Sequence, residues 1–257
     1  MTNPNTIGIN STDRSSITDE SVSAFRLHAS SKLFALALTA PLERLKLCKQ
    51  VGQPALGFGQ ALSRGWYGFL PHAAGTTLYS TMSMMGVSLA LPEDAPIVSR
   101  AWIAYTAAAI AATCVSYPFD VAYTHRASGS LSHRVYHRGL PLAAGISGIH
   151  AISSMSSLSF LSLIFPLHKP GDTPSDLDFG RGLVVGYASS FIGSLLVYPA
   201  DTIRRRVVIG STIQQAVQQK RFYAGLSWHL VKCVPQCAIF TAAYVVNSRQ
   251  YFSEVSN

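Results

Sequence analysis

Three copies of one short pattern constrain this chain more than any other feature in it. They are TAPLERLKLCKQ (39–50), SYPFDVAYTHRA (116–127) and VYPADTIRRRVV (197–208). In each copy a proline is followed two residues later by an acid: Pro41 and Glu43, Pro118 and Asp120, Pro199 and Asp201. Three positions further on stand Lys46, Tyr123 and Arg204, so that place is basic twice and aromatic once. The prolines are 77 and then 81 residues apart. Near-equal spacing marks a repeated supersecondary unit that stacks against its own copies. Each copy ends an apolar segment. A short polar stretch follows, and then a glycine opens the next apolar segment, in SRG (63–65), HRG (137–139) and YAG (223–225). The unit is helix, basic loop, helix.

The predicted helices run over 24–49, 66–91, 98–126, 139–166, 179–207 and 226–252. Each exceeds the ~20 residues that cross a bilayer at about 1.5 Å per residue. Composition agrees with lipid exposure. Only 12% of the residues are charged and 48% are hydrophobic, whereas a soluble domain carries about 25% charge. The expected fold is therefore an all-α membrane protein with six transmembrane helices in three pseudo-repeats of two. Residues 1–23 form a polar tail, expected to be disordered, and the repeats cover 24–95, 96–170 and 171–257. The tail carries Asp13, Asp19 and Glu20 and has no apolar core, unlike a secretory signal or an Arg-rich transit peptide. The helices are rich in Gly, Ala and Ser, which permits close helix contact in a membrane. Ser, Thr and His recur along one side of several of them, which suits walls around a water-filled cavity.

Loop charge orients the chain. The loops after the first, third and fifth helices hold Lys49 and Arg64, then Arg126, Arg134 and Arg138, then Arg204, Arg205, Arg206, Lys220 and Arg221. The alternate loops hold Glu93 and Asp94, then Asp172, Asp176 and Asp178. Basic loops stay inside, which places both termini on the opposite face. The net charge of +8 is spread between apolar segments and forms no basic domain, so nucleic acid is not expected as a partner. The four cysteines, Cys48, Cys114, Cys233 and Cys237, have no paired spacing and act as small hydrophobes. His125, His133 and His137 lack a carboxylate or thiol companion, so a solvated loop fits them better than a metal. No cofactor is expected.

A proline within a membrane helix removes a backbone hydrogen bond and bends it. Three such bends about a pseudo-threefold axis would draw the helix ends together. Charges there are costly unless paired, so acid and base from neighbouring helices are expected to join into a gate.

These motifs resemble the mitochondrial carrier signature, Pro-x-acid-x-x-base followed at a distance by base-Gly, from about residue 25 to 252. Among such carriers the ADP/ATP carriers are the nearest likeness. PLERLKL matches their P-[IL]-E-R-[VL]-K-L, YPADTIRRRVV their YPFDTVRRR, and YPFDVAYTHRA the family's YPLDFARTRLA. The resemblance implies a multi-pass protein of the mitochondrial inner membrane that exchanges adenine nucleotides by alternating access and is not an enzyme. Its matrix gate would be Pro41, Glu43, Lys46, Pro118, Asp120, Tyr123, Pro199, Asp201 and Arg204. Asp120 would meet Arg204, Asp201 would meet Lys46, and Glu43 would face Tyr123, leaving the gate one ion pair short.

Seven residues beyond each opening glycine stand His72, Ile146 and Lys232, where the resemblance places substrate contacts. His150 falls on an adenine-stacking position, and Arg205 would assist with phosphates. The likeness also has gaps. The expected lysine of the first helix is Leu36, the arginine after the stacking residue is Ala151, and the serine before the last Tyr-Pro is Val197. The far-end gate is reduced to Ser83, Met85 and Ser88, then Ser157, Ser159 and Ser162, then Tyr244, Val245 and Ser248. The loops are short, so their small helices should be truncated. Partners implied are a small anionic substrate and membrane lipid, with a monomer expected and a membrane complex open. Two alternatives stand beside nucleotide exchange: a carrier for another anion, and a transport-inactive carrier fold serving as a structural subunit.

Overall fold

The computed structural model describes residues 11–53, 58–64, 66–90, 97–129, 137–165 and 176–255. They form helices joined by turns: α1 (Ser11–Gln50), α2 (Phe58–Arg64), α3 (Phe69–Ala90), α4 (Ile97–Ser128), α5 (Leu140–Ile164), α6 (Asp176–Val208), α7 (Ile213–Gln218) and α8 (Leu226–Val255). Two stretches are long and apolar enough to cross a membrane, Trp102–Ser128 within α4 and all of α5. Helices α1 and α6 are longer, at 40 and 33 residues, but charged residues are spread along both. α1 starts at Ser11, inside the segment expected to be a polar tail. Residues 11–23 contain no proline or glycine, and extending an existing helix needs no new nucleus.

Each long helix packs against the next along the chain, and α8 closes back onto α1. The pairs α3 with α4, α5 with α6, and α1 with α8 are the most extensive, and α1, α4 and α6 also meet pairwise. The result is a ring whose odd-position helices converge at one end. The buried set mixes apolar side chains, such as Leu47, Val121, Tyr123 and Val208, with polar ones. Small and polar residues are buried, among them Ser31, Thr39, Ser80, Ser116, Ser147, Ser154, Ser189 and Thr202. Large apolar ones face outward: Phe34 and Leu38 on α1, Ile103 on α4, Phe160 and Leu163 on α5, and Leu196 on α6. An apolar exterior around an interior that also buries many polar groups suits lipid outside.

Pro41, Pro118 and Pro199 all lie inside their helices, so none of them terminates its helix. The glycines that open the second helix of each unit share one backbone conformation. Gly68, Gly139 and Gly225 have φ of +86°, +85° and +83°, which only glycine adopts without strain. α3, α5 and α8 begin on the next residue in each case. In the first repeat this glycine is Gly68, three residues past the one chosen from sequence; Gly65 itself lies outside the described residues.

These glycines also close the ring. A side chain at Gly68 would meet Tyr123, one at Gly139 would meet Tyr117 and Arg204, and one at Gly225 would meet the Lys46 carbonyl. Tyr123, Arg204 and Lys46 each stand five residues after the motif proline of the next repeat in the cycle. The contact recurs in the same sense at all three glycines. The tyrosines before two of the prolines reinforce it. The Tyr198 hydroxyl donates to the Ala224 carbonyl at 3.0 Å and that of Tyr117 donates to the Arg138 carbonyl, each just ahead of the opening glycine. The small loop helices are short, as expected: α2 has 7 residues and α7 has 6. A capping box between Thr212 and Gln215 starts α7.

Candidate functional site: a charged lock beneath a polar chamber

The helical period puts Lys32, Leu36, Thr39, Glu43 and Lys46 on one stripe of α1, facing inward while Leu33, Phe34 and Leu38 face out. The same arithmetic turns Asp120 on α4 and Asp201 on α6 toward the axis. Where the ends of these helices meet, the three acids are joined to four cations.

The Arg204 guanidinium bridges two helices. It donates to Asp120 Oδ2 at 2.5 Å and to Asp201 Oδ1 at 2.7 Å. Arg205 binds the other oxygen of Asp120 at 2.9 Å and donates to Thr124 Oγ1 at 2.6 Å. Asp120 is thus held by both arginines, as charge-assisted pairs of this kind prefer. The expected Asp120–Arg204 pair is present.

The expected Asp201–Lys46 pair is not formed. Both Asp201 oxygens are already engaged, one by Arg204 and the other by Gln50 Nε2 at 3.2 Å. Lys46 stays with Glu43 on its own helix at 3.4 Å and lies 5.8 Å from the centre of the Tyr198 ring. Gln50, a residue that sequence reasoning did not single out, therefore links α1 to α6.

Tyr123 does not receive Glu43 either. Its hydroxyl is buried without a hydrogen-bond partner, and its ring packs with Leu47, Val51 and Ala127. Glu43 is claimed instead by Lys232 of α8, at 2.6 Å. Lys232 was expected to be free for substrate. It supplies the charge that Tyr123 lacks, and the lock is complete by a different route. Polar ties span three joints: α1 to α8 through Glu43 and Lys232, α4 to α6 through Asp120 and Thr124 with the two arginines, and α1 to α6 through Gln50.

Arg206, one of the basic residues that orient the loop, is 2% exposed and pairs with no acid among the described residues. It donates to three backbone carbonyls: Gln50 at 3.0 Å, Ala216 at 2.9 Å and Arg221 at 2.8 Å. Orphan carbonyls at the ends of α1 and α7 are thereby satisfied, and no local sequence signal announces this.

Above the lock lie two cavities of about 270 Å³ and 220 Å³, both bordered by Tyr79, Thr113 and Arg204. The first holds His150, whose Nε2 sits 3.2 Å from Ser194 Oγ, together with Ile146 and His229. The second holds His72, stacked on Tyr123 at 4.5 Å with a buried, unpartnered Nε2.

With Gly68 as the first-repeat opening, the position equivalent to Ile146 and Lys232 is Gly75, not His72. Gly75 lies where α3 approaches α4 so closely that an added Cβ would stand 2.9 Å from the Phe119 Cβ. At the far end of the ring, the Met85, Ser88, Tyr244, Val245 and Ser248 side chains lie outside the described residues. Ser83 is buried without a partner, and Ser162 bonds back to its own helix at 2.8 Å. No group of His, Cys, Asp or Glu among the described residues is placed to hold a metal ion.

Compared with known proteins, the chain matches no protein family and no curated protein.

Proposed function

We propose that this chain is a divergent solute carrier of the mitochondrial inner membrane that exchanges small anions, adenine nucleotides foremost, by alternating access. The observation that carries the reading is the lock. Three acids on three proline-bearing helices gather with four cations beside the two cavities: Glu43 pairs with Lys232 of α8, Asp120 with Arg204 and Arg205 of α6, and Asp201 with Arg204 of its own helix while Gln50 ties it to α1. The group holds four cations, Lys46, Lys232, Arg204 and Arg205, against three carboxylates, a surplus that attracts an anion into the chamber. The sequence likeness to the ADP/ATP carriers supplies the substrate class.

Lys232 couples binding to opening. An anion entering from above competes with Glu43 for its ammonium, and releasing Glu43 undoes the α1–α8 tie. The remaining pairs then part and the chamber opens at the other end, as gates do around a central site. Any net charge moved experiences the membrane potential at about 2.3 kcal/mol per charge per 100 mV. No bond of the substrate is made or broken.

The second reading, a transport-inactive carrier fold within a membrane assembly, is favoured by one observation. Of the three contact positions, two are Gly75 and Ile146, and the third, Lys232, is occupied by Glu43. Reconstitution into liposomes loaded with ADP decides. Exchange of labelled ADP that Lys232→Ala abolishes supports nucleotide exchange, and uptake of another anion instead narrows the reading to a different cargo. The carrier reading fails if no anion is taken up by an intact, folded protein.

A further inference from the structure

Lys32 is the cation that the lock leaves out. It lies on the inward stripe of α1, eleven residues before Glu43, which is roughly 16 Å farther up the helix axis. It is partly buried, and its ammonium donates to Ser80 Oγ on α3. No carboxylate among the described residues pairs with it, and the charged group in electrostatic reach is another cation, Lys232. On α3, Thr76, Ser80 and Ser83 share a face at helical spacing. Ser80 spends its own proton on the Thr76 carbonyl at 2.9 Å, so its oxygen is the acceptor for Lys32. Ser83 lies one turn on, buried, with a hydroxyl that has no partner. Lys232 has Glu43 as its counter-ion, but Lys32 has only a hydroxyl, and a partly buried ammonium beside a second, unpartnered hydroxyl is costly unless an anion joins them.

We infer that Lys32, with Ser80 and Ser83, forms an entry site for a phosphate-type oxyanion, the first contact of an anionic cargo on its way to Lys232. The inference rests on the carrier reading for its cargo but not for its chemistry. A compact polyanion is the ligand that fits. It can engage the Lys32 ammonium and the Ser83 hydroxyl together while its remaining charge faces Lys232, which a singly charged carboxylate cannot do. This site also answers for Leu36, the apolar residue one turn below, where the carrier likeness expects a lysine: the charge is present but displaced by one turn toward the mouth.

The test is ligand binding by the full chain in detergent, followed as the rise in unfolding temperature with ADP and, separately, with inorganic pyrophosphate. Saturable binding is expected for wild type. Lys32→Gln should weaken it at least tenfold, Lys32→Arg should restore it to within about threefold, and Ser83→Ala should weaken it a few-fold, in line with a charge-assisted contact. Equal affinity of wild type and Lys32→Gln, or no saturable binding of either probe by wild type, overturns the site. Liposome exchange judges the carrier reading separately. Exchange with a raised half-saturation in Lys32→Gln supports both, whereas tight binding without exchange keeps the site and removes the carrier.

Discussion

Replacing Glu43 with glutamine removes the one carboxylate that two buried cations share. Lys232 lies 2.6 Å from it with a side chain 10% exposed, and Lys46 lies 3.4 Å away at 9%. Breaking one buried pair from one side costs about 3–5 kcal/mol, mostly because the stranded charge stays desolvated. Two charges are stranded here, but at 3.4 Å Lys46 is the looser of the two partners, so the middle of that range, about 4 kcal/mol, is expected. For a chain of this size that lowers the unfolding midpoint by about 8–15 °C. Lys232→Met is milder, about 1–2 kcal/mol, since Glu43 keeps Lys46 as a partner. The double variant Glu43→Gln/Lys232→Met should recover about half of the loss, because it removes one of the two stranded cations and leaves Lys46 without a carboxylate. The expected coupling is therefore about 2 kcal/mol or more, read from reversible denaturant unfolding in detergent followed by helical circular dichroism. Losses that add to within about 0.5 kcal/mol would mean that the two residues do not hold each other, and the account of the lock would be wrong.

Arg206→Lys should destabilise the protein by about 2–4 kcal/mol although charge is conserved. A single ammonium cannot reach the carbonyls of Gln50, Ala216 and Arg221 together, and each buried carbonyl left over costs about 1–3 kcal/mol; a change within 0.5 kcal/mol would refute the clamp. Gly225→Ala should cost at least about 2 kcal/mol, from its φ of +83° and a Cβ 2.6 Å from the Lys46 carbonyl oxygen. Gly145→Ala, inside α5 with nothing within 4 Å of the added Cβ, should be neutral or slightly stabilising in the same unfolding assay.

Much of the fold is written along the chain. The proline–acid pattern recurs near every eighty residues and the glycines recur with it, so repeat number, helix order and which helices converge are local and periodic facts. The stripe holding Glu43 and Lys46 follows from helical spacing alone, as do the inward faces of Asp120 and Asp201. In the first repeat SRG and WYG lie three residues apart, and α3 starts after the second, where Gly68 has the positive φ shared by Gly139 and Gly225. That shift moved the contact position from His72 to Gly75.

Partner choice is another matter, because it depends on which groups reach an acid first across a helix joint. Asp201 takes Arg204 and Gln50, while Lys46 stays with Glu43 on its own helix. Glu43 lies within reach of a lysine 189 residues away, and the missing base at Tyr123 leaves no gap. Arg206 meets carbonyls of α1 and of the segment around α7 that no sequence spacing relates to it. Local sequence determines helices and the faces they turn inward through backbone periodicity. Pairing among buried charges is decided by distances of a few ångströms between separate helices, and only the closed ring sets those distances.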